Sequence, residues 1–274
     1  LLPRGAEAIE NPHGTAPGVL VDDPRGIIIC MPGVPSELKP MLEERVIPWL
    51  GRKFGLSGVL HYRVLKVCGL GESRIDHLMG DLINRLSNPT IGLLASPDAV
   101  RIRITARAED TAAADALIDP VEAEIHKRMP GLLFGKDDDT LEGVLDRLLG
   151  ARDWTLAVAE TMTGGMVAQR LSATGARAFA GAHVFPVSHA DGRDPRQYAL
   201  DLARELLIDF RSDCALVLAV DPAAKRTVGL FLTPESRHEF EAGFLGRGER
   251  NQVRTSIYAL EQMRRHLSGY AGDA

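Results

Sequence analysis

The chain has 274 residues, of which 45% are apolar and 25% charged, and this balance is typical of a soluble globular protein. Its net charge of −5 argues against bulk nucleic-acid binding, because proteins that bind nucleic acid usually carry a basic surface. No apolar run approaches the roughly 18 residues that span a bilayer, so we expect no membrane contact. Cys30, Cys68 and Cys214 are far apart, which favours reduced, buried thiols in a cytoplasmic protein over disulfides or a zinc site.

Residues 1 to about 53 are predicted to form an incomplete α/β unit. A loop rich in glycine and proline, residues 11–18, precedes two strand-like runs at 19–21 and 27–31. A second loop, residues 32–37, leads into a helical stretch that continues through Trp49. The chain begins without methionine and without an opening strand and helix, so we expect it to be the C-terminal part of a longer protein.

Residues 58–136 predict strands at 61–68, 90–95, 99–108 and 132–134, with helices at 72–86 and 111–129. This β-α-β-β-α-β order is typical of a small split βαβ sandwich. The turn at 69–72, Gly-Leu-Gly-Glu, is either a loop that clamps a backbone or a common short entry into a helix. Arg101, Arg103 and Arg107 alternate with apolar residues, so they share one sheet face. Without interleaved aromatic residues, a solvated face is favoured over an RNA platform.

Residues 138–269 are predicted to form a layered α/β domain. The capping-box pair Asp139 and Glu142 indicates the start of a helix with an apolar stripe. Beyond it, strands and helices alternate, and several strands are almost entirely apolar. The strands are expected at 155–159, 182–185, 215–220, 228–233 and 239–244, and the helices at 164–173, 197–210 and 249–267.

Residues 159–165, Ala-Glu-Thr-Met-Thr-Gly-Gly, follow the first of these strands and open a helix. Thr161, Thr163, Gly164 and Gly165 therefore lie at a strand-to-helix junction. There, unpaired amides and the positive end of a helix can hold an anion or activate a nucleophile. The alternative is a threonine-capped helix with a turn eased by glycine.

This segment resembles the Ala-Glu-Ser-Cys-Thr-Gly-Gly signature of the CinA C-terminal domain, in a family of nicotinamide mononucleotide amidohydrolases. Thr161 stands at the position of the family's nucleophilic serine, and Met162 at that of its cysteine. The family's Tyr-Ser-x-x-x-Lys stretch corresponds to Phe185–Ala190, so its lysine base is replaced by Ala190. The family's glycine-rich segment is also replaced, at 218–223. The resemblance therefore implies a degenerate deamidase site, with His189 and Lys225 as nearby groups that match no family position.

Two further segments extend this resemblance. Residues 228–231 are similar to the family's Val-Gly-Thr-Val strand, and residues 244–250 followed by Arg254 resemble its Gly-Asp-Arg segment. Arginines near a helix N-terminus oppose the helix dipole, so they favour an anionic neighbour. The resemblance implies that Arg247 and Arg250 contact a phosphate or an acidic subunit. The alternative is pairing with Glu249 or another exposed carboxylate.

The loops 11–18 and 32–37 together resemble the second half of the CinA N-terminal domain. That domain is similar to the MoaB and MogA fold and is associated with ADP-ribose pyrophosphatase activity. The resemblance implies that four residues present amides to a nucleotide: Gly14, Thr15, Gly18 and Gly33. It implies that Glu37 contacts a metal or a ribose, with magnesium or cobalt as the cofactor of an intact domain. No cofactor is expected for the C-terminal domain.

The sequence thus predicts an α/β protein in three parts: a partial MoaB/MogA-like unit at 1–53, a KH-like α+β domain at 58–136 and a CinA C-terminal domain at 138–269. The resemblance implies a cytoplasmic, dimeric, nucleotide-handling hydrolase of NAD salvage that binds nicotinamide or adenine nucleotides and is impaired in both activities. The alternative is a non-catalytic nucleotide-binding or assembly scaffold linked to competence or the DNA damage response. An RNA-binding adaptor, acting through residues 58–136, is disfavoured by the acidic charge.

Overall fold

The computed structural model describes residues 2–96, 99–190, 192–221, 226–243 and 248–270. The chain divides into two compact units, Leu1–Val59 and Leu60–Ala274. The first unit contains one small sheet and the second contains two sheets. Among the helices in these ranges, none is both long and apolar enough to cross a membrane.

The first unit is an antiparallel sheet followed by helices. Its strands β1 (Ala6–Ile9), β2 (Gly18–Asp23) and β3 (Gly26–Cys30) lie in that order. Helix α1 (Pro35–Met41) continues through a π-helical turn (Leu42–Val46) into α2 (Ile47–Phe54). The core consists of Ile9, Leu20, Met41 and Val46. The two predicted strands are confirmed, whereas β1 was missed because only the last of its four residues is buried.

The smaller sheet of the second unit has the predicted β-α-β-β-α-β order. It comprises β4 (Val59–Val67), α3 (Glu72–Arg85), β5 (Thr90–Ala95), β6 (Val100–Ala108), α4 (Thr111–Arg128) and β7 (Leu133–Lys136). The strand order is β5-β6-β4-β7. In β6, Ile102 and Ile104 are buried while Arg101, Arg103 and Arg107 are exposed, which confirms the predicted alternation.

The larger sheet is covered on both faces. Its strands are β8 (Leu156–Glu160), β9 (Phe179–Val184), β10 (Cys214–Asp221), β11 (Arg226–Leu232) and β12 (Arg237–Gly243), in the order β12-β11-β10-β8-β9. Strand β8 runs parallel to β9 and β10. Helices α5 (Leu141–Gly150), α6 (Met166–Ala173) and α8 (Glu249–Leu267) pack on one face, and α7 (Pro195–Asp209) packs on the other. Every residue of β8 and β10 is therefore buried, as their apolar sequences predict.

The start of α5 differs from the prediction. Thr140 is its N-cap, and the Thr140 hydroxyl accepts a hydrogen bond from the Gly143 amide at 3.1 Å. The carboxylate of Asp139 instead accepts from the Lys136 amide at 3.0 Å and pairs with Arg147 at 2.7 Å. The predicted capping box is therefore wrong, because the turn after β7 already uses the Asp139 side chain.

A buried ion cluster links α8 to the smaller sheet. The Glu261 carboxylate is 1% exposed and accepts hydrogen bonds from Arg264 at 2.7 and 2.8 Å and from Arg265 at 2.9 Å. Arg264 also donates to the carbonyl oxygen of Gly131, in the turn before β7, at 2.6 Å. The two sheets therefore belong to one compact unit.

Candidate functional site

The segment predicted to carry the chemistry forms a loop at the carboxyl end of β8, which we call the 161–165 loop. It connects β8 to α6, and β8 lies between its parallel neighbours β9 and β10. Crevices at the carboxyl ends of parallel strands are common ligand sites in α/β folds. Thr161, Met162 and Thr163 are buried, and Gly164 and Gly165 have φ angles of 64° and 91°. These left-handed conformations favour glycine.

The Thr161 hydroxyl is fully used in holding two strands together. Its Oγ1 donates to the carbonyl oxygen of Leu218 at 2.9 Å and accepts from the Val220 amide at 3.1 Å, and the residue is 4% exposed. The alternative in which a threonine caps the following helix is wrong, because this hydroxyl bonds to β10. Its proton points to a backbone carbonyl, so it has no contact with a base within the described part of the chain.

Glu160 supplies the cap of α6. Its carboxylate is completely buried and accepts hydrogen bonds from the amides of Val167 at 3.1 Å and Ala168 at 2.9 Å. The Met166 amide donates to the carbonyl oxygen of Thr163 at 3.2 Å. The first-turn amides of α6 are therefore occupied by the protein's own groups. These three amides are not available to an external anion, whereas anion binding by the glycine turn before them stays a prediction.

Unpaired hydrogen-bond donors remain just before α6, in the turn formed by Thr163, Gly164 and Gly165, which we call the glycine turn. Thr163 is 1% exposed, and its Oγ1 has no hydrogen-bond partner among the described residues. The amides of Gly164 and Gly165 likewise donate to no described residue. Buried polar groups in folded proteins are nearly always paired, so this cluster is a candidate contact for a ligand or a water molecule.

Two neighbouring elements enclose the glycine turn. Gln252 of α8 donates to the carbonyl oxygen of Met162 at 3.0 Å, and its Nε2 would lie 3.2 Å from a Cβ atom at Gly164. A Cβ atom at Gly165 would lie 3.4 Å from Val184, the last residue of β9. The turn is therefore held between α8 and the end of β9, where a larger residue would crowd the Gln252 contact.

The candidate bases are not in contact with Thr161. Nδ1 of His189 lies 2.6 Å from the Tyr198 hydroxyl, and the His189 ring stacks on Phe185 with centroids 4.5 Å apart. Burial raises the pKa of Tyr198, so this hydroxyl remains protonated near neutral pH. His183 pairs with Asp209 at 3.0 Å. Lys225 lies outside the described residues.

Of the two arginines predicted to contact a phosphate, the structure describes only Arg250. Arg247 lies outside the described residues. Arg250 is exposed in the first turn of α8, and within the described ranges it forms no ion pair, either with Glu249 or with another carboxylate. Helix α8 begins after Gly248 without a side-chain cap. Arg250 therefore stays a predicted phosphate contact.

In the first unit, the two predicted loops meet through a hydrogen bond. Nδ2 of Asn11 donates to the Glu37 carboxylate at 2.7 Å and to the carbonyl oxygen of Ala16 at 2.9 Å. A Cβ atom at Gly14 would lie only 2.1 Å from the same carboxylate, so a larger residue there would require the Glu37 side chain to move. Gly18 is buried, and its Cβ position lies 2.9 Å from Met41. Gly18 therefore serves close packing, and its contact with a nucleotide stays a prediction.

The remaining predicted residues of this unit, Thr15 and Gly33, are exposed. Across the described residues, no group of three or more His, Cys, Asp or Glu side chains is placed to hold a metal ion. The Glu37 carboxylate is bound by Asn11. The described residues therefore do not form the divalent-metal site that the resemblance implies.

Comparison with known proteins places this chain in a family. Residues 62–135 match the family described as Damage-inducible protein CinA KH domain. A CinA-like protein from Frankia casuarinae is 35% identical over an alignment that covers 98% of this chain and 68% of that protein. The chain belongs to the CinA family. A second CinA-like protein, from Dictyoglomus thermophilum, is 33% identical over 96% of this chain and 70% of its own length.

Other relatives match a smaller part of this chain. A Moorella thermoacetica protein described as competence-damage inducible is 43% identical over 63% of this chain, and the match spans 41% of that protein. The crystal structure of a competence damage-inducible protein from Klebsiella pneumoniae covers 47% of this chain and 96% of its own, at 19% identity and a TM-score of 0.41. The chain therefore spans from about two-fifths to about seven-tenths of the length of these curated relatives.

Sequence reasoning missed two residues that shape the 161–165 loop. The capping role of Glu160 could have been predicted from the sequence, because a buried carboxylate at the end of an apolar strand must accept hydrogen bonds from nearby donors. Gln252 gave none, since it lies 90 positions from Met162 and only the packing of α8 brings the two together.

Proposed function

We propose that this CinA chain is a cytoplasmic, dimeric nucleotide-handling protein of NAD salvage. In this proposal its 161–165 loop binds nicotinamide mononucleotide without deamidating it. The observation that carries the proposal is the pairing of the Thr161 hydroxyl with Leu218 and Val220, both through backbone groups. Turnover and binding depend on different atoms of this loop.

Loss of turnover follows from the state of the hydroxyl. A serine or threonine is a weak nucleophile at neutral pH unless an adjacent base removes its proton. Here the proton is directed to the carbonyl oxygen of Leu218, and the family's lysine position is Ala190. A positioned base typically contributes about 10²–10⁴-fold to rate, so its absence leaves deamidation near background. The extra methyl group of threonine further restricts the approach to a carbonyl.

Retention of binding is supported by the unpaired donors of the glycine turn. The Thr163 hydroxyl and the amides of Gly164 and Gly165 are consecutive groups with no partner among described residues. Successive amides in a turn of this kind form a concave site for an anion or a carbonyl oxygen. A phosphate or carboxamide oxygen of a mononucleotide matches these donors.

Titration calorimetry with nicotinamide mononucleotide, alongside an ammonia assay, tests the proposal. We expect binding without ammonia release. Thr163→Val preserves side-chain shape and removes the unpaired hydroxyl, so it should weaken binding about tenfold. Thr174→Val, at the exposed C-terminal end of α6, is the matched control and should leave affinity unchanged.

Ammonia release that disappears in Thr161→Ala would show that the site remains catalytic and would overturn the first half of the proposal. Equal affinity in the parent and in Thr163→Val would overturn the second half. In that case the alternative, a non-catalytic nucleotide-binding or assembly scaffold, is preferred. The retained glycine pair beside a lost lysine position is the observation that favours this alternative.

A further inference from the structure

A cavity of about 550 Å³ lies within the second unit, between the turn that precedes α3 and one face of α8. Gly69, Leu70 and Gly71 line one wall, and Arg254 and Tyr258 line the other. No residue of the 161–165 loop contributes to its lining. Its volume falls within the range of small-molecule sites. Two motifs that lie far apart in the sequence therefore meet at one cavity.

The polar groups of this cavity favour an anion. Arg254 is exposed, and its guanidinium has no partner among the described residues. Helix α3 has 14 residues, and its N-cap residue, Gly71, provides no side-chain cap. The amides of Glu72 and Ser73 in its first turn donate to no described residue. A helix N-terminus carries about half a positive charge, so it adds to the attraction of Arg254.

A buried arginine gives a second, independent observation. Arg265 is 4% exposed and donates through Nε to Glu261, but its buried Nη2 has no partner among the described residues. This Nη2 lies 3.7 Å from the position of a Cβ atom at Gly69, whose φ angle is 79°. It therefore lies against the 69–71 turn that forms the cavity wall, although Arg265 itself does not line the cavity. Its positive charge close behind this wall favours an anion in the cavity.

The rest of the lining suits a planar ring. The Tyr258 ring borders the cavity and packs edge-on against Phe240, with centroids 6.0 Å apart. Leu70 and Ile257 add apolar surface. The acidic side chain at the rim, Glu241, is paired with Arg226 at 2.8 Å, so its charge is largely compensated.

We propose that this cavity binds a small phosphorylated ligand with a planar ring, for which a nucleoside monophosphate is the probe. The phosphate lies between Arg254 and the first turn of α3, and the ring lies against Tyr258. This site is separate from the 161–165 loop and does not depend on the function proposed for that loop.

Titration calorimetry with AMP, and separately with inorganic phosphate, tests the site. Arg254→Ala should weaken AMP binding at least about tenfold, because it removes a charge-assisted contact to the phosphate. Arg204→Ala is the charge-matched control, since Arg204 is exposed on α7 across the larger sheet, and it should leave the affinity within about twofold. Thermal melting of each variant reports whether it folds.

A ring contact predicts that AMP binds more tightly than inorganic phosphate and that Tyr258→Leu reduces AMP affinity to that of phosphate. Photolabelling with 8-azido-AMP, followed by trypsin digestion, should place the label on the peptide 255–264, which contains Tyr258. A label confined to the 161–165 loop, or AMP affinity unchanged in Arg254→Ala, would overturn the proposal. Loss of nicotinamide mononucleotide binding in Thr163→Val bears only on the loop, so the two proposals can fail independently.

Discussion

The Thr161 hydroxyl donates to the carbonyl oxygen of Leu218 at 2.9 Å, just where the parallel pairing of β8 and β10 ends. Glu160 and Leu218 are the last paired residues of the two strands. Beyond them, the Thr161 hydroxyl replaces a backbone acceptor between the two strands, because it also accepts a hydrogen bond from the Val220 amide. Thr161, which the resemblance places at the family's nucleophile position, thus has a structural role that requires a hydroxyl and no base.

This role predicts a stability effect. Thr161→Val keeps the side-chain volume but leaves the Val220 amide without its partner, while the Leu218 carbonyl keeps only its hydrogen bond from the backbone amide of residue 161. We expect it to lower the free energy of unfolding by about 1–3 kcal/mol, whereas Thr161→Ser should lie close to the parent. Urea denaturation of the three proteins measures the difference, and equal midpoints for Val and Thr would refute the bridging role.

The ion cluster on α8 predicts a larger loss. Glu261→Gln removes the carboxylate that compensates Arg264 and Arg265, each 4% exposed. Leaving buried charge unpaired costs roughly 3–5 kcal/mol, so this variant should melt at a much lower temperature. Glu249→Gln, exposed in the first turn of the same helix, is the control and should change stability by less than about 0.5 kcal/mol. Similar melting of both variants would contradict a structural role for the cluster.

The sequence predicted the elements far better than the contacts of the site. Periodicity identified β6 from its alternating arginines and isoleucines, and apolar runs identified β8 and β10. Asp139 was misjudged because its carboxylate has two nearby sets of donors, and only the folded turn decides between them. The cap that Glu160 provides for α6 was missed. Tyr62 was overlooked beside Arg103 because strand β4 pairs with β6, out of sequence order.

Thiol reactivity tests the predicted burial of the cysteines. Burial is confirmed for Cys68 and Cys214 but wrong for Cys30, which is exposed on the edge strand β3. Burial raises the pKa of the Cys68 and Cys214 thiols to about 12, so neither forms a thiolate near neutral pH. We expect one fast-reacting thiol per folded chain in an Ellman titration, lost in Cys30→Ser, and all three after unfolding. Rapid reaction of two or more thiols in the folded chain would contradict this.

The same pKa shifts predict how stability changes with pH. A thiol whose pKa is higher in the folded than in the unfolded state favours folding less as pH rises past its unfolded pKa of about 8.5. Each buried thiol should then lower the free energy of unfolding progressively as pH rises above that value. A Cys68→Ala, Cys214→Ala double variant should show a flatter profile. If the stability of the double variant falls with pH as steeply as that of the parent, groups other than these two thiols cause the loss of stability.

Nucleic-acid binding is expected to be weak despite the exposed arginines. The structure corrects one premise, because the Arg103 guanidinium lies 4.3 Å from the centroid of the Tyr62 ring, so an aromatic residue is present on this face. That ring face is covered by Arg103, and the chain carries a net charge of −5. We expect binding to single-stranded RNA without sequence preference and with a steep loss as salt increases. Sub-micromolar affinity for one defined RNA at physiological salt would contradict this, and a large effect of Tyr62→Ala would indicate base stacking.

Hydrolysis of ADP-ribose should be absent from this chain. The reaction requires a metal ion held by carboxylates against the diphosphate. The described residues contain no cluster of three or more potential ligands, and the Glu37 carboxylate is bound by the Asn11 amide at 2.7 Å. We therefore expect no AMP release above the protein-free blank with magnesium or cobalt, measured by chromatography. Metal-dependent release that is lost in Glu37→Gln but kept in Glu10→Gln would instead identify Glu37 as a metal ligand, and the Asn11 contact would then have to open when metal binds.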